Sequence, residues 1–378
     1  MGPLGRVKVV ELAGMGPAPF ACMLLADLGA EVIRVDRPAP GELDVPPEFE
    51  LLNRGKRSVI LDLKRQEGLD AVLALAEGAD ILVEGFRPGV AERLGIGPDA
   101  VLARNPGLVY GRMTGWGQDG PLALTAGHDI SYIAVTGALH AMGERGGRPQ
   151  IPLNLVGDFG GGAAYLVVGL LAAVHEARFS GRGQVVDASI LDGTLHLMTL
   201  FHGMLAAGQW ADDRGVNTLD GGAPYYAVYE TADGLFMAVG ALESKFYREF
   251  LRVLDLDEDP GRQQERDRWP RLRARIADAF ASRTQAEWAE RFAGTDACVS
   301  PVLGLKEAAD HPQVTARRAV VAVDGVAQSA VAPRFSAHPK LFPGRPAVPG
   351  ADTRAVLGEA GLDAERLIAD GTAVERRR

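Results

Sequence analysis

Residues 7–37 read VKVVELAGMGPAPFACMLLADLGAEVIRVDR, and their order decides the fold. Val7–Leu12 is a short run rich in valine, which reads as a buried strand. A turn follows, Gly14-Met-Gly16-Pro-Ala-Pro19, then a helical stretch to about Leu28 and a second strand-like run, Glu31–Val35. The same rhythm continues through Val59–Leu61, a helix over 66–77, Ile81–Glu84 and Leu108–Met113. Strands alternating with helices predict βαβ units and an α/β fold with a parallel, doubly wound, Rossmann-like sheet. In such sheets ligands bind beyond the carboxyl ends of the strands, so the residues just after each strand are the ones that matter.

The first turn is close to a dinucleotide fingerprint, with Asp36 twenty residues after Gly16 at the end of the second strand. Pro19, however, stands where the third glycine belongs, and its ring occupies the space that close helix–strand contact requires. The turn therefore reads as tight strand–helix packing without a nicotinamide or flavin nucleotide.

Further along, residues 127–190 hold two apolar helices and a strand-like Gln184–Ala188. Ala206–Gly222 lacks periodicity and is rich in turn signals. Tyr226–Glu230 and Leu235–Gly240 flank Thr-Ala-Asp-Gly and read as a β-hairpin, after which Glu243 opens an amphipathic helix through Leu254. Residues 260–295 are charged and helical, and a proline-rich tail ends in the helical pattern Thr353–Leu367. The expected organisation is a large α/β domain over 1–205 completed by 330–378, a linker over 206–222, and a small α+β domain over 223–329. The apolar stretch Ala163–Val174 falls short of the roughly 18 residues of a membrane span and reads as a buried core helix.

The chain has 378 residues, with 40 Lys and Arg against 49 Asp and Glu, a formal charge of −9 that argues against nucleic acid or an anionic membrane as partner. At 47% hydrophobic and 24% charged residues, the composition is that of a folded globular chain. Cys22 and Cys298 are isolated, so neither a disulfide framework nor a cysteine zinc site is indicated. Residues 1–12 lack the apolar core of a signal peptide, and the expected location is cytoplasmic. The histidines outside position 128 show no metal-ligand spacing, and neither a Gly-x-Ser-x-Gly elbow nor a Walker loop is present.

Four features carry candidate chemistry. Arg34, Arg37, Arg54, Lys56, Arg57, Lys64, Arg87 and Arg93 gather around the predicted strand ends, either as solvated surface cations or as a grip for a phosphate-bearing ligand. Gly127-His128-Asp129 precedes an apolar helix, Ile130–Met142. A histidine there is a helix cap or, kept neutral by the positive helix end, a base. Asp158, in Asn154-Leu-Val-Gly157-Asp158-Phe-Gly-Gly-Gly, is a first-turn carboxylate or one that faces a substrate. Glu243 is a helix-start carboxylate or the orienting partner of a histidine base.

Seven separated motifs then occur in order: Val-Val-Glu11-Leu-Ala-Gly, Asp27-Leu-Gly-Ala-Glu-Val-Ile-Arg34-Val-Asp-Arg37-Pro, Glu84-Gly-Phe-Arg87-Pro-Gly, Arg112-Met-Thr-Gly-Trp-Gly117, Gly127-His128-Asp129, the Asn154–Gly162 string, and Gly181-Arg-Gly-Gln-Val-Val-Asp187. Together they resemble the family III CoA-transferases, and within them the racemase branch, whose substrates are 2-methylacyl-CoA thioesters. The resemblance implies an interlocked homodimer whose active site joins one subunit's large domain to the other's small domain. It implies His128 and Asp158 as the two catalytic bases, Asp129 beside them and Glu243 paired with His128. Arg37, Lys64, Arg87 and Arg93 are the implied contacts to CoA, which is part of the substrate, and no separate cofactor or metal is implied.

That chemistry suits the residues. Inverting a centre α to a thioester takes one base to remove the proton on one face and a conjugate acid to return one on the other. The intervening enolate requires fixed donors at the thioester oxygen, for which backbone N–H groups near Asp129 are the candidates. Asp158 is expected to titrate above an ordinary carboxylate. The alternative within the family is a CoA-transferase with Asp158 as covalent nucleophile. His128 discriminates, since family transferases generally lack a histidine there. A catalytically silent acyl-CoA-binding protein and a nicotinamide dehydrogenase are the readings from other classes.

Overall fold

The structure, a computed structural model, describes residues 2–39 and 45–376. It divides into two compact units, residues 1–136, 153–197 and 313–378 in the first and 137–152 and 198–312 in the second.

The first unit is built on six parallel strands, β1 (Lys8–Leu12), β2 (Glu31–Asp36), β3 (Arg57–Leu61), β4 (Ile81–Glu84), β5 (Val109–Thr114) and β6 (Val185–Ser189). Their order across the sheet is β3-β2-β1-β4-β5-β6, the doubly wound arrangement, with Ala373–Val374 added antiparallel on β3. Strand side chains alternate between faces, and over β1–β5 both faces are covered, while edge strand β6 leaves Val185 and Asp187 exposed. Val10, Leu12, Val35, Val59, Leu61, Leu82 and Tyr110 pack on one side with Leu69, Val72 and Leu75 of helix Gln66–Glu77 and with Val356, Leu357 and Leu367 of the C-terminal helices. Val9, Val32, Ile81, Val83, Val109 and Met113 pack on the other with Ala21, Cys22 and Leu25 of helix Pro17–Asp27 and with Leu166 and Leu170. The near-continuous apolar strands seen in the sequence are those of a sheet buried on both sides, and full burial of each Leu or Val contributes roughly 1.5–3 kcal/mol.

The apolar helix of the sequence is longer than expected. Leu155–Ala164 winds as a π-helix and continues directly into the α-helix Tyr165–Ser180, giving a 26-residue run with a mean hydropathy of 1.6 in its most apolar window. By length and composition alone that run is long and apolar enough to cross a membrane, a test that buried core helices also pass, so only the length read from the sequence is corrected. Leu166, Leu170, Ala173 and Val174 join the core, whereas Val168 and Phe179 are 67% and 81% exposed. The helix expected over Ile130–Met142 breaks at Gly137, whose φ of 82° is left-handed, into Asp129–Ala134 and Ala138–Ala141.

The second unit holds an antiparallel sheet of Tyr226–Glu230, Phe236–Gly240 and Val299–Pro301, including the expected hairpin. Helices Ser244–Leu254, Trp269–Phe280 and Gln285–Phe292 cover an aromatic core that includes Tyr225, Tyr247, Phe250, Phe280 and Trp288.

The unit boundaries differ from those expected, for identifiable reasons. Residues 137–152 belong with the second unit, where the Arg214 guanidinium donates to the carbonyls of His140 and Gly147, both at 2.9 Å. Residues 198–205, expected in the large domain, and 206–222, expected as a linker, belong with it too, the latter organised around buried Asn217, which donates to Ala211 O and Asp213 O at 3.0 Å. The hairpin Val320–Val323/Val326–Ser329 joins the first unit instead, because buried Arg54 donates to Gln328 Oε1 at 2.9 Å and to Ser329 O at 2.8 Å.

Candidate active site

In the strand order found, the chain leaves β1 and β4, neighbours in the sheet, toward opposite sides, and the crevice between their following loops is where doubly wound sheets bind ligands. The loop after β1 ends in Gly16, which caps helix Pro17–Asp27 at φ 68°. Pro17 and Pro19 remove two of the first three N–H donors of that helix, so its start is a poor cradle for a pyrophosphate. Lys56 ties the turn down from below, donating to Pro19 O at 3.0 Å and pairing with buried Glu11 at 2.6 Å.

Asp158 sits over this turn. A Cβ placed on Gly16 would stand 3.0 Å from Asp158 Oδ2. Asp158 lies in the first turn of the π-helical segment, a helix type frequent at functional sites. Its carboxylate accepts from Asn154 Nδ2 at 3.2 Å. Burial raises its pKa above the ordinary value; the Asn154 amide opposes this, the Asp129 charge adds to it and His128 opposes it. The carboxyl is thus shifted in the direction the sequence reading called for.

His128 is the N-cap of helix Asp129–Ala134, in extended conformation with φ −135°, and is exposed. Its influence on Asp158 puts the two groups within electrostatic reach.

Asp129 is buried and turned toward backbone. Its Oδ2 accepts the Asp158 N–H at 2.7 Å, and the Gly157 N–H also hydrogen-bonds to this carboxylate. Burial raises its pKa, and these two N–H groups pull it back. A Cβ on Gly157 would lie 2.3 Å from Asp129 Oδ2, so glycine is required for this approach. Asp129 therefore acts by positioning the start of the Asp158 helix, a different part from that of the two groups it stands between.

Arg37, Lys64 and Arg87 each follow a strand of the sheet, β2, β3 and β4 in turn, and Arg93 lies in the short helix Val90–Leu94 after β4. All four are exposed, and none forms an ion pair among the described residues. The rest of the basic cluster is committed elsewhere, which corrects the broader reading. Arg54 is bidentate on Asp27 at 3.1 and 2.5 Å, Lys56 holds Glu11, Arg34 meets Asp36 at 3.0 Å, and Arg57 meets Glu31 at 2.8 Å. The loop carrying Arg87 is fixed at its root. Buried Glu84 accepts the Phe86 N–H at 2.6 Å and Arg112 Nε at 3.0 Å, while Arg112 also reaches Glu92 at 2.7 Å.

Glu243 belongs to the second unit, where it caps helix Ser244–Leu254. The structure thus gathers His128, Asp129 and Asp158 in one unit. Two residues without an assigned role in the sequence stand with them: Asn154, one helical turn before Asp158, and Tyr132, whose pKa is raised by burial and by the Asp158 charge and lowered by Arg87. Among the described residues no group of three or more His, Cys, Asp or Glu is arranged to hold a metal ion.

Known proteins resemble this chain in sequence and in fold. A family model described as CoA-transferase family III matches residues 4–353. The chain is 45% identical over 366 residues to an alpha-methylacyl-CoA racemase of Mus musculus, covering 96% of this chain and 92% of that one. It is 41% identical over 374 residues to the Homo sapiens protein of the same name, covering 96% and 95%. Among solved structures, Rv3272 from M. tuberculosis superposes with a TM-score of 0.78 at 27% identity, covering 93% of this chain and 98% of that one. A CAIB/BAIF family protein from Brucella suis gives the same TM-score at 25% identity, covering 95% and 99%.

Proposed function

This chain belongs to CoA-transferase family III, and on that footing we propose that it is a racemase interconverting (2R)- and (2S)-2-methylacyl-CoA thioesters by proton transfer through an enolate. The observation that carries the reading is the placement of His128 and Asp158 on separate helix starts of one unit, joined through Asp129, which follows His128 in the chain and accepts the Asp158 N–H at 2.7 Å. One takes the α-proton from one face as the other, protonated, delivers a proton to the opposite face. A carboxyl held above its ordinary pKa serves both directions, because it is readily protonated for one and ionised for the other. Backbone N–H groups at the start of helix Asp129–Ala134 are the donors assigned to the enolate oxygen. Glu243 is assigned to the orientation of the imidazole.

Arg37, Lys64, Arg87 and Arg93, exposed and without ion-pair partners among the described residues, are assigned to the phosphates of CoA. The proposed reaction draws on no cofactor beyond the thioester itself. A homodimer is proposed as the working form, since Val168, Phe179, Leu195 and Leu197 leave apolar surface on two helices of the first unit. A cytoplasmic location is proposed with it, consistent with two free cysteines, one exposed.

The test is incubation of a single epimer of a 2-methylacyl-CoA with the protein, followed by chiral analysis of the acyl group. Approach to a mixture of both epimers is expected. Retained configuration, with CoA passing to an added carboxylic acid, contradicts the racemase and selects a transferase using Asp158 as nucleophile.

A further inference from the structure

We propose that Tyr132 is a positioning residue for His128, its phenol fixing the peptide plane from which the imidazole departs. The inference rests on the two-base reading above. The Tyr132 hydroxyl donates to Gly127 O at 2.5 Å, and Gly127 O and His128 N belong to one peptide group. The other end of that group points at Ser131 Oγ, 3.5 Å away. His128 O in turn accepts from Ser131 N at 2.7 Å and Tyr132 N at 3.2 Å. The backbone on both sides of His128 is thus gripped by residues 131 and 132 of the helix that it caps. Only the side-chain torsions of the histidine are left to vary.

The site for the ring is made by two absent side chains. A Cβ on Gly115 would stand 2.0 Å from Tyr132 Cζ, and one on Gly127 would stand 2.6 Å from Cε1. Trp116 meets the ring edge-on at 4.8 Å between centroids, an arrangement that fixes its tilt. The aromatic ring is therefore held independently of the hydroxyl. The hydroxyl is spent on the one carbonyl that precedes the base.

This makes Tyr132→Phe an informative variant, because the ring still fills its space and the carbonyl alone loses its donor. Tyr132 feels the Asp158 charge but makes no hydrogen bond to Asp158 among the described residues, so losing the hydroxyl is expected to disturb His128 more than Asp158. The readout is loss of the α-proton to D2O, measured separately from each pure epimer of a 2-methylacyl-CoA under single-turnover conditions. His128→Ala identifies which epimer depends on His128.

In Tyr132→Phe, exchange from that epimer is expected to fall about tenfold, while exchange from the other stays within about twofold. A melting curve like that of the wild type accompanies this result. Equal losses from both epimers, or no loss from either, overturn the assignment. Wild-type protein that exchanges the α-proton of neither epimer overturns the two-base reading first, and the role of Tyr132 with it.

Discussion

Asp158 and Gly16 meet at the switch point of the sheet, Asp158 Oδ2 standing 3.0 Å from where a side chain at Gly16 would begin. One residue caps the helix after β1 with a left-handed backbone and the other opens the π-helical segment, so the carboxylate is set at the edge where doubly wound folds bind.

Gly16→Ala follows directly. The added Cβ is strained at φ 68° and lies 3.0 Å from Oδ2, so it displaces the carboxylate by a few tenths of an ångström or more. A fall of roughly 10–100-fold in kcat/KM is expected, with the fold retained by circular dichroism. Unchanged kcat/KM would show that the contact does not matter.

The Asn154 amide favours the ionised form of Asp158, opposing the effect of burial. Asn154→Ala removes that help and raises the Asp158 pKa further. The acidic limb of the kcat/KM profile, in the direction in which Asp158 is the base, therefore moves to higher pH. A limb that stays in place, or moves down, contradicts the assignment.

Stability gives an independent reading of the same group. The Asp158 pKa is higher folded than unfolded, so ionisation costs stability above the folded pKa, and the cost is relieved as pH falls through it. Asp158→Asn is expected to melt higher than wild type at neutral pH, with the gap closing in acid. Thermal unfolding across that range checks the sign.

Arg112 bridges Glu84 and Glu92 beneath the Arg87 loop. Arg112→Met leaves Glu84 buried without its cation, at a cost of about 3–5 kcal/mol in unfolding experiments. Because the loop bears a proposed CoA contact, KM is expected to rise more than kcat falls. The reverse split would place Arg112 nearer the chemistry.

The strands were legible because Val9 and Val10, or Leu82 and Val83, are apolar on successive residues, which only a sheet covered on both faces demands. His128 and Asp158 were legible because one caps a helix after Gly127, the other lies in the first turn of a glycine-rich apolar helix, and each stands in a motif. The orientation of Asp129 was not, since it depends on an amide 29 residues away. Nor was the division of the basic cluster. Arg54 and Lys56 resemble Arg87 in the sequence, and only folding brings Asp27 and Glu11 against them. The widened helix at Leu155–Ala164 and the break at Gly137 reflect tertiary packing and backbone conformation, which helical periodicity alone does not encode.

The two-base claim is tested most directly by running the conversion of one epimer in D2O with wild type, His128→Ala and Asp158→Asn side by side, following α-deuterium by mass spectrometry and configuration by chiral analysis. Wild type is expected to give inverted product carrying solvent deuterium, and each variant to lose inversion by at least about a hundredfold. An acyl adduct on Asp158 with configuration retained, and a His128→Ala variant as active as wild type, would contradict it.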